Sequence, residues 1–141
     1  MTIGTEHTVA ATGAWVLVVD DDEDILEAIQ TVLVRHGFRA VVTSNAEAAL
    51  RILRRRPPPA AIVVDLRMPF MNGAELVQAI REKPALSGMR IIGLSGEEEG
   101  TNVAKDLALD EYLRKPVDIR ELVSAIQRAI GGPTDGAEAR P

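Results

Sequence analysis

The chain contains no cysteine, which rules out both a disulfide scaffold and thiolate chemistry. Aromatic residues are nearly missing: one Trp, one Tyr and two Phe among 141 residues. Any core must therefore be built from Val, Ile, Leu and Ala, and a hydrophobic content of 46% supplies enough of them. No apolar run approaches the roughly 18–20 residues that span a bilayer. The first fourteen residues lack the basic start and apolar stretch of a secretory signal, so a soluble cytoplasmic protein is expected. Positive charge is in deficit as well. A net charge of −5 and a pI near 5.1 argue against direct nucleic-acid binding, which needs a basic face. The one basic run, Arg54, Arg55 and Arg56, closes an expected helix, where it complements the negative end of the helix dipole.

What is present is an alternation. Residues 15–19 form a short, wholly apolar run that stops at acids, the pattern of a strand buried on both faces. An amphipathic stretch follows, with Ile25, Leu26, Ile29, Val32 and Leu33 on one stripe and Gly37 as its stop. Residues 38–42 predict a second strand. Ser44, with Glu47 three residues on, predicts a capping box for a helix through Leu50 and Leu53, which three prolines at 57–59 terminate. Residues 60–64 predict a central strand ending at Asp65. A helix is expected over 73–82, a fourth strand over 90–94 ending at Ser95, a short helix over 101–109, and a brief strand over 112–114 ending at Lys115. A last helix carries Ile119, Leu122, Val123, Ile126 and Ile130, with Asp118 as its cap. Five strand–helix units imply a parallel sheet covered on both faces, with function at the carboxyl ends of the strands. Residues 15–130 read as one domain, with flexible tails at 1–14 and 131–141. The eleven residues after Ile130 are too few for an output domain. The protein either acts through its own surface or continues in a longer chain, and both stay open.

The strand endings matter most. The first strand ends at Asp20, Asp21 and Asp22, the third at Asp65, the fourth at Ser95 and the fifth at Lys115. Parallel strands bring these endings to one edge of the sheet. Two like charges about 4 Å apart repel by roughly 4 kcal/mol at an effective dielectric near 20. A divalent cation removes that penalty, and hard oxygen ligands suit Mg²⁺. A carboxylate on a rigid strand end is a nucleophile toward phosphorus. Taken singly, each residue has a plainer role. The acidic run caps a helix, Asp65 sits in a turn, Ser95 is a loop hydroxyl and Lys115 a solvated charge. Their occurrence together at successive strand ends is what those plainer roles fail to explain.

The segments VLVVDDD at 16–22, IVVDLRMPFMNG at 62–73, IIGLSG at 91–96 and YLRKP at 112–116 resemble response-regulator receiver domains of two-component signalling, over about 15–130. The resemblance implies a doubly wound (βα)5, flavodoxin-like α/β fold with strand order 2-1-3-4-5. It implies Asp65 as phosphoacceptor, and Asp20 and Asp21 as the acidic pair that positions Mg²⁺, with the Arg67 backbone carbonyl as a further ligand. Ser95 and Tyr112 become the switch pair, Lys115 the phosphate-pairing lysine, and the bond before Pro116 cis. The implied activity is that of a signalling switch rather than an enzyme, with Asp65, Lys115 and Ser95 supplying Mg²⁺-dependent self-phosphorylation and self-dephosphorylation chemistry. The implied donor is a histidine kinase or histidine-phosphotransfer protein. The implied output is a protein target, read by the face of the 101–109 helix, the fifth strand and the last helix, with homodimerisation compatible and neither nucleic acid nor membrane as partner. Two other classes fit the residues less well. A phosphatase with an aspartyl nucleophile needs a second acid two residues on, where Arg67 stands. A phosphorylation-independent interaction module would not need the acids, Ser95 and Lys115 together. The interval from Ser95 to Lys115 is short for the family, which places the departure in the 101–109 region.

Overall fold

Alternation of apolar runs with amphipathic stretches gives five strands and four described helices. The computed structural model describes residues 15–55, 57–67, 73–86, 88–96 and 106–130. In chain order they form β1 (Trp15–Val19), α1 (Glu23–Arg35), β2 (Arg39–Thr43), α2 (Ala46–Arg55), β3 (Ala61–Asp65), α3 (Gly73–Arg81), a 3₁₀ turn (Pro84–Leu86), β4 (Arg90–Ser95), β5 (Glu111–Arg114) and α4 (Ile119–Ile130). All pairings are parallel and the order is β2-β1-β3-β4-β5, the expected doubly wound arrangement. Both expected tails, the first five residues of the expected 101–109 helix, and the 68–72 and 97–99 segments lie outside the described residues.

The continuous apolar strands are explained by burial on both sheet faces. Leu17, Val19, Ile62, Val64 and Ile91 point to the side covered by α2 and α3, among Ala46, Ala49, Leu53, Leu76, Val77 and Ile80. Val16, Val18, Val63, Ile92 and Leu94 point to the other, covered by α1 and α4 through Leu26, Ile29, Leu33, Leu122 and Ile126. Fully burying one such aliphatic side chain stabilises the fold by about 1.5–3 kcal/mol, so this two-sided core is what keeps the strand ends rigid.

Helix ends follow local chemistry, with one correction. Gly37 adopts φ 89°, and its N–H and that of Phe38 donate to the Val34 and Leu33 carbonyls, a Schellman stop as the sequence implied. Asp118 caps α4, accepting from the Arg120 N–H. The expected Ser44 cap is replaced by its neighbour. Helix α2 starts at Ala46, and Asn45 Oδ1 accepts from the Ala48 N–H at 2.9 Å. The Thr43 hydroxyl accepts from the Asn45 N–H at 3.2 Å, turning the chain one residue later than a Ser44 cap requires.

Candidate functional site at the carboxyl edge of the sheet

Strand register assembles the site. Val19 stands beside Val64, so Asp20 and Asp65 leave adjacent strands at the same level. Asp65 stands beside Leu94 and Ser95 beside Arg114, which puts Ser95 and Lys115 one step beyond on the next two strands. Asp20 is fully buried, Asp65 is 3% exposed, Ser95 is buried and Asp21 is exposed. Carboxylate oxygens of Asp20, Asp21 and Asp65 all lie within 4.8 Å of one another. The Lys115 ammonium reaches over them, its Nζ 3.0 Å from Asp65 Oδ2 and 3.2 Å from Asp20 Oδ2.

The acidic run divides its labour. Asp22 is the N-cap of α1, its Oδ1 accepting from the Asp24 and Ile25 N–H groups. Asp20 turns the other way, into the site, and its Oδ1 accepts from the Asp22 N–H at 2.9 Å. Asp65 is held alike, Oδ1 accepting from the Arg67 N–H at 3.0 Å. Each inward carboxylate thus has one oxygen fixed by backbone and the other turned toward Lys115. Within one run, Asp22 caps the helix while Asp20 faces the other strand ends.

Electrostatics show what the cluster lacks. Burial raises the Asp65 carboxyl to about 6, with Asp20 adding to the rise and the Arg67 N–H and Lys115 opposing it. Burial raises Asp20 too, against the Asp22 N–H and Lys115. Burial alone would lower Lys115, but Asp65 and Asp20 hold its ammonium above the ordinary range. Asp20 Oδ2 is buried, and its one near donor is the Lys115 ammonium, 3.2 Å away in an ion pair. Three carboxylates against one ammonium leave a negative excess, and an under-donated buried oxygen faces it. All the donors are hard oxygens. The residues fit a hydrated divalent cation of the Mg²⁺ kind.

Ser95 points elsewhere. Its Oγ donates to the Gly96 carbonyl at 3.1 Å and lies 2.6 Å from the Tyr112 hydroxyl. A serine hydroxyl carries one proton, so with that proton on Gly96 the phenol is the donor to Ser95. The two expected switch residues are therefore bonded directly to each other, which their spacing in sequence does not reveal. The Lys115–Pro116 peptide bond is cis, as expected.

One residue at the site escaped the sequence reading. A Cβ on Gly73 would collide with the Asp65 carbonyl oxygen and lie 2.7 Å from Leu66 Cα. Helix α3 therefore starts hard against the backbone of the acidic strand end, where only glycine fits. The signal was present as a glycine eight residues after Asp65, at a helix start.

The sequence and the fold are similar to those of known proteins. A family model described as the response regulator receiver domain matches residues 16–127. The chain belongs to the response-regulator receiver family. As a receiver domain it is a phosphorylation-signalling module of two-component systems, a family whose acidic cluster binds Mg²⁺. Among similar proteins, an uncharacterised 14.6 kDa protein of Leptolyngbya boryana is 36% identical over 115 residues, 80% of this chain and 87% of that one. The alkaline phosphatase synthesis transcriptional regulatory protein PhoP of Bacillus subtilis is 31% identical over 82% of this chain, which spans 47% of PhoP. A response regulator receiver domain of Clostridium thermocellum superposes with a TM-score of 0.75 at 30% identity, covering 84% of this chain and 94% of that one. Chemotaxis response regulator CheY4 of Vibrio cholerae does so at 0.75 and 26%, covering 82% and 98%. Among the described residues, no helix is long and apolar enough to cross a membrane.

Proposed function

We propose that Asp65 accepts a phosphoryl group from a phosphohistidine on a histidine kinase or phosphotransfer protein. An Asp65 carboxylate oxygen attacks phosphorus, the bond to the donor nitrogen breaks, and an aspartyl phosphate results. The observation that carries this is the convergence of Asp20, Asp21 and Asp65 under Lys115, with contacts of 3.0 and 3.2 Å. When bound, Mg²⁺ would neutralise charge on the transferring oxygens, held by Asp20, Asp21, Asp65 and the Arg67 carbonyl. Lys115 exchanges its ion pair with Asp65 for one with the phosphoryl group. The chain does this as a switch for a protein partner rather than as a turnover enzyme, with 15–130 as the working unit and the cytoplasm as its compartment.

The switch follows from the Ser95–Tyr112 bond. A phosphoryl group adds up to about −2 charge and three acceptor oxygens. The Ser95 hydroxyl then gains an acceptor at the site and gives up Gly96, which breaks its contact with Tyr112. The phenol is freed to repack, and the face around β5 and α4 changes. The bond in the resting state biases the equilibrium that phosphorylation shifts. Amide NMR tests this. Acetyl phosphate with Mg²⁺ is expected to move the signals of Ser95, Gly96 and Tyr112 in the wild type and none of them in Asp65→Ala. Changes confined to residues 20–22 and 65–67 would overturn the switch.

A further inference from the structure

The strand that delivers Tyr112 and Lys115 is four residues long and, among the described strands, lies at the sheet edge beside β4. So short an edge strand contributes few ladder bonds of its own. Yet Lys115 Nζ must sit 3.0 Å from Asp65, and the Tyr112 hydroxyl 2.6 Å from Ser95. The three residues before it are fastened one after another. The Ala108 carbonyl accepts from Arg81 Nη2 at 2.7 Å. Leu109 lies on the bare backbone of Gly93, where a Cβ would be 2.7 Å from its Cδ1. Asp110 Oδ2 accepts from the Ile91 N–H at 2.8 Å and from Arg81 Nη2 at 3.2 Å, while its Oδ1 faces Arg90 at 3.4 Å. Arg81 Nη1 also donates to the Met89 carbonyl at 2.9 Å.

One guanidinium at the end of α3 therefore ties together the entrances of β4 and β5. The planar fork of arginine can do this, whereas a lysine ammonium is a point donor. Ala108, whose carbonyl Arg81 holds, has an unusual backbone. Its φ of 56° lies in the left-handed region, a conformation unfavourable for a non-glycine residue that persists where neighbours over-determine it. The other end of α3 is Gly73, pressed on the backbone of Asp65 and Leu66. A single nine-residue helix thus touches the acidic strand end with its first residue and the entrance of the lysine-bearing strand with its last.

We propose that Arg81 is a positioning residue for phosphoryl transfer, setting the register of β5 through Ala108 and Asp110 and so placing Lys115 on Asp65. It acts through β5, by its bonds to Ala108 and Asp110, from the end of α3 opposite Gly73. The inference rests on Asp65 being the phosphoacceptor.

The test measures two quantities on Arg81→Ala and Arg81→Lys: the rate of phosphorylation at saturating acetyl phosphate, and Mg²⁺ affinity by calorimetry without phosphodonor. Misplacing a reacting group by a fraction of an ångström slows chemistry strongly, so the Arg81→Ala rate is expected to fall about tenfold. Mg²⁺ affinity is expected to stay within about twofold, because Asp20 and Asp21 leave β1, which the clamp does not touch. Arg81→Lys keeps the charge facing Asp110 but not both carbonyl bonds, and is expected to lose about threefold in rate. If Arg81→Ala does not fold, Arg81→Lys decides by the same two readouts. Wild-type rates in the folded variants would overturn the proposal. So would a parallel loss of rate and Mg²⁺ affinity, which a general loosening of the fold gives. A wild type that takes up no phosphoryl group would remove the reading of Asp65, and this proposal with it, before any variant is made.

Discussion

Replacing Asp65 by asparagine is expected to stabilise the metal-free protein at pH 7. The carboxyl titrates near 6 in the folded chain against 3.8 unfolded, chiefly because it is buried. Below about pH 4 it is protonated in both states and carries no penalty. Between 4 and 6 the unfolded chain releases a proton that the folded chain retains, so stability falls as pH rises. Above 6 the penalty is complete. At about 1.4 kcal/mol per pKa unit, a shift of this size corresponds to about 3 kcal/mol. Asparagine keeps the shape and the acceptor for the Arg67 N–H but never ionises. The attraction of Lys115 is already contained in that shift, so the net expectation is about 1–3 kcal/mol at pH 7 and near zero at pH 4. Urea unfolding with a chelator at both pH values measures it. Added Mg²⁺ is expected to raise wild-type stability and to narrow the gap, because it neutralises the cluster that asparagine has already relieved. A variant less stable than wild type at pH 7, or a difference of the same size at pH 4, would refute the reasoning.

Four further outcomes follow from the same structure. Gly73→Ala forces a methyl into the Asp65 carbonyl and is expected to cost about 2–4 kcal/mol in urea unfolding. Asn45→Ala is expected to cost about 1 kcal/mol and Ser44→Ala close to nothing, which checks by thermal unfolding that the α2 cap lies where the structure places it. Tyr112→Phe removes the donor to Ser95 and is expected to cost about 1 kcal/mol while leaving Mg²⁺ affinity unchanged, measured by unfolding and calorimetry. Arg67→Asn replaces the exposed side chain two residues after Asp65 and is expected to change the half-life of the phosphorylated form. An unchanged half-life by intact mass would remove Arg67 from the control of dephosphorylation.

Much of the fold was legible because its signals are local. Strands buried on both faces read as unbroken apolar runs, and the acids, serine and lysine that stop those runs mark the edge where function gathers. Asp20, Asp21, Asp65 and Lys115 needed only the parallel rule to be brought together, since the rule fixes which ends are neighbours. What the sequence hid was relational. Nothing local distinguishes Asp20, turned inward, from Asp22, turned to cap α1, although the two are chemically identical and two residues apart. Ser44 and Asn45 are both good caps, and the Thr43 hydroxyl decides between them by bonding to the Asn45 backbone. Arg81 reads as a basic residue in a last helical turn, and its reach to Ala108 and Asp110, nearly thirty residues on, exists only in the fold. Ala108 carries no signal at all, because alanine does not announce a left-handed backbone.

The central claim is that Asp65 takes the phosphoryl group, and intact-mass spectrometry after incubation with acetyl phosphate and Mg²⁺ tests it most directly. The expected result is a gain of about 80 Da, one phosphoryl group, that needs the divalent cation and is absent in Asp65→Ala. A gain that persists in Asp65→Ala, or a wild type that shows none, would contradict the account.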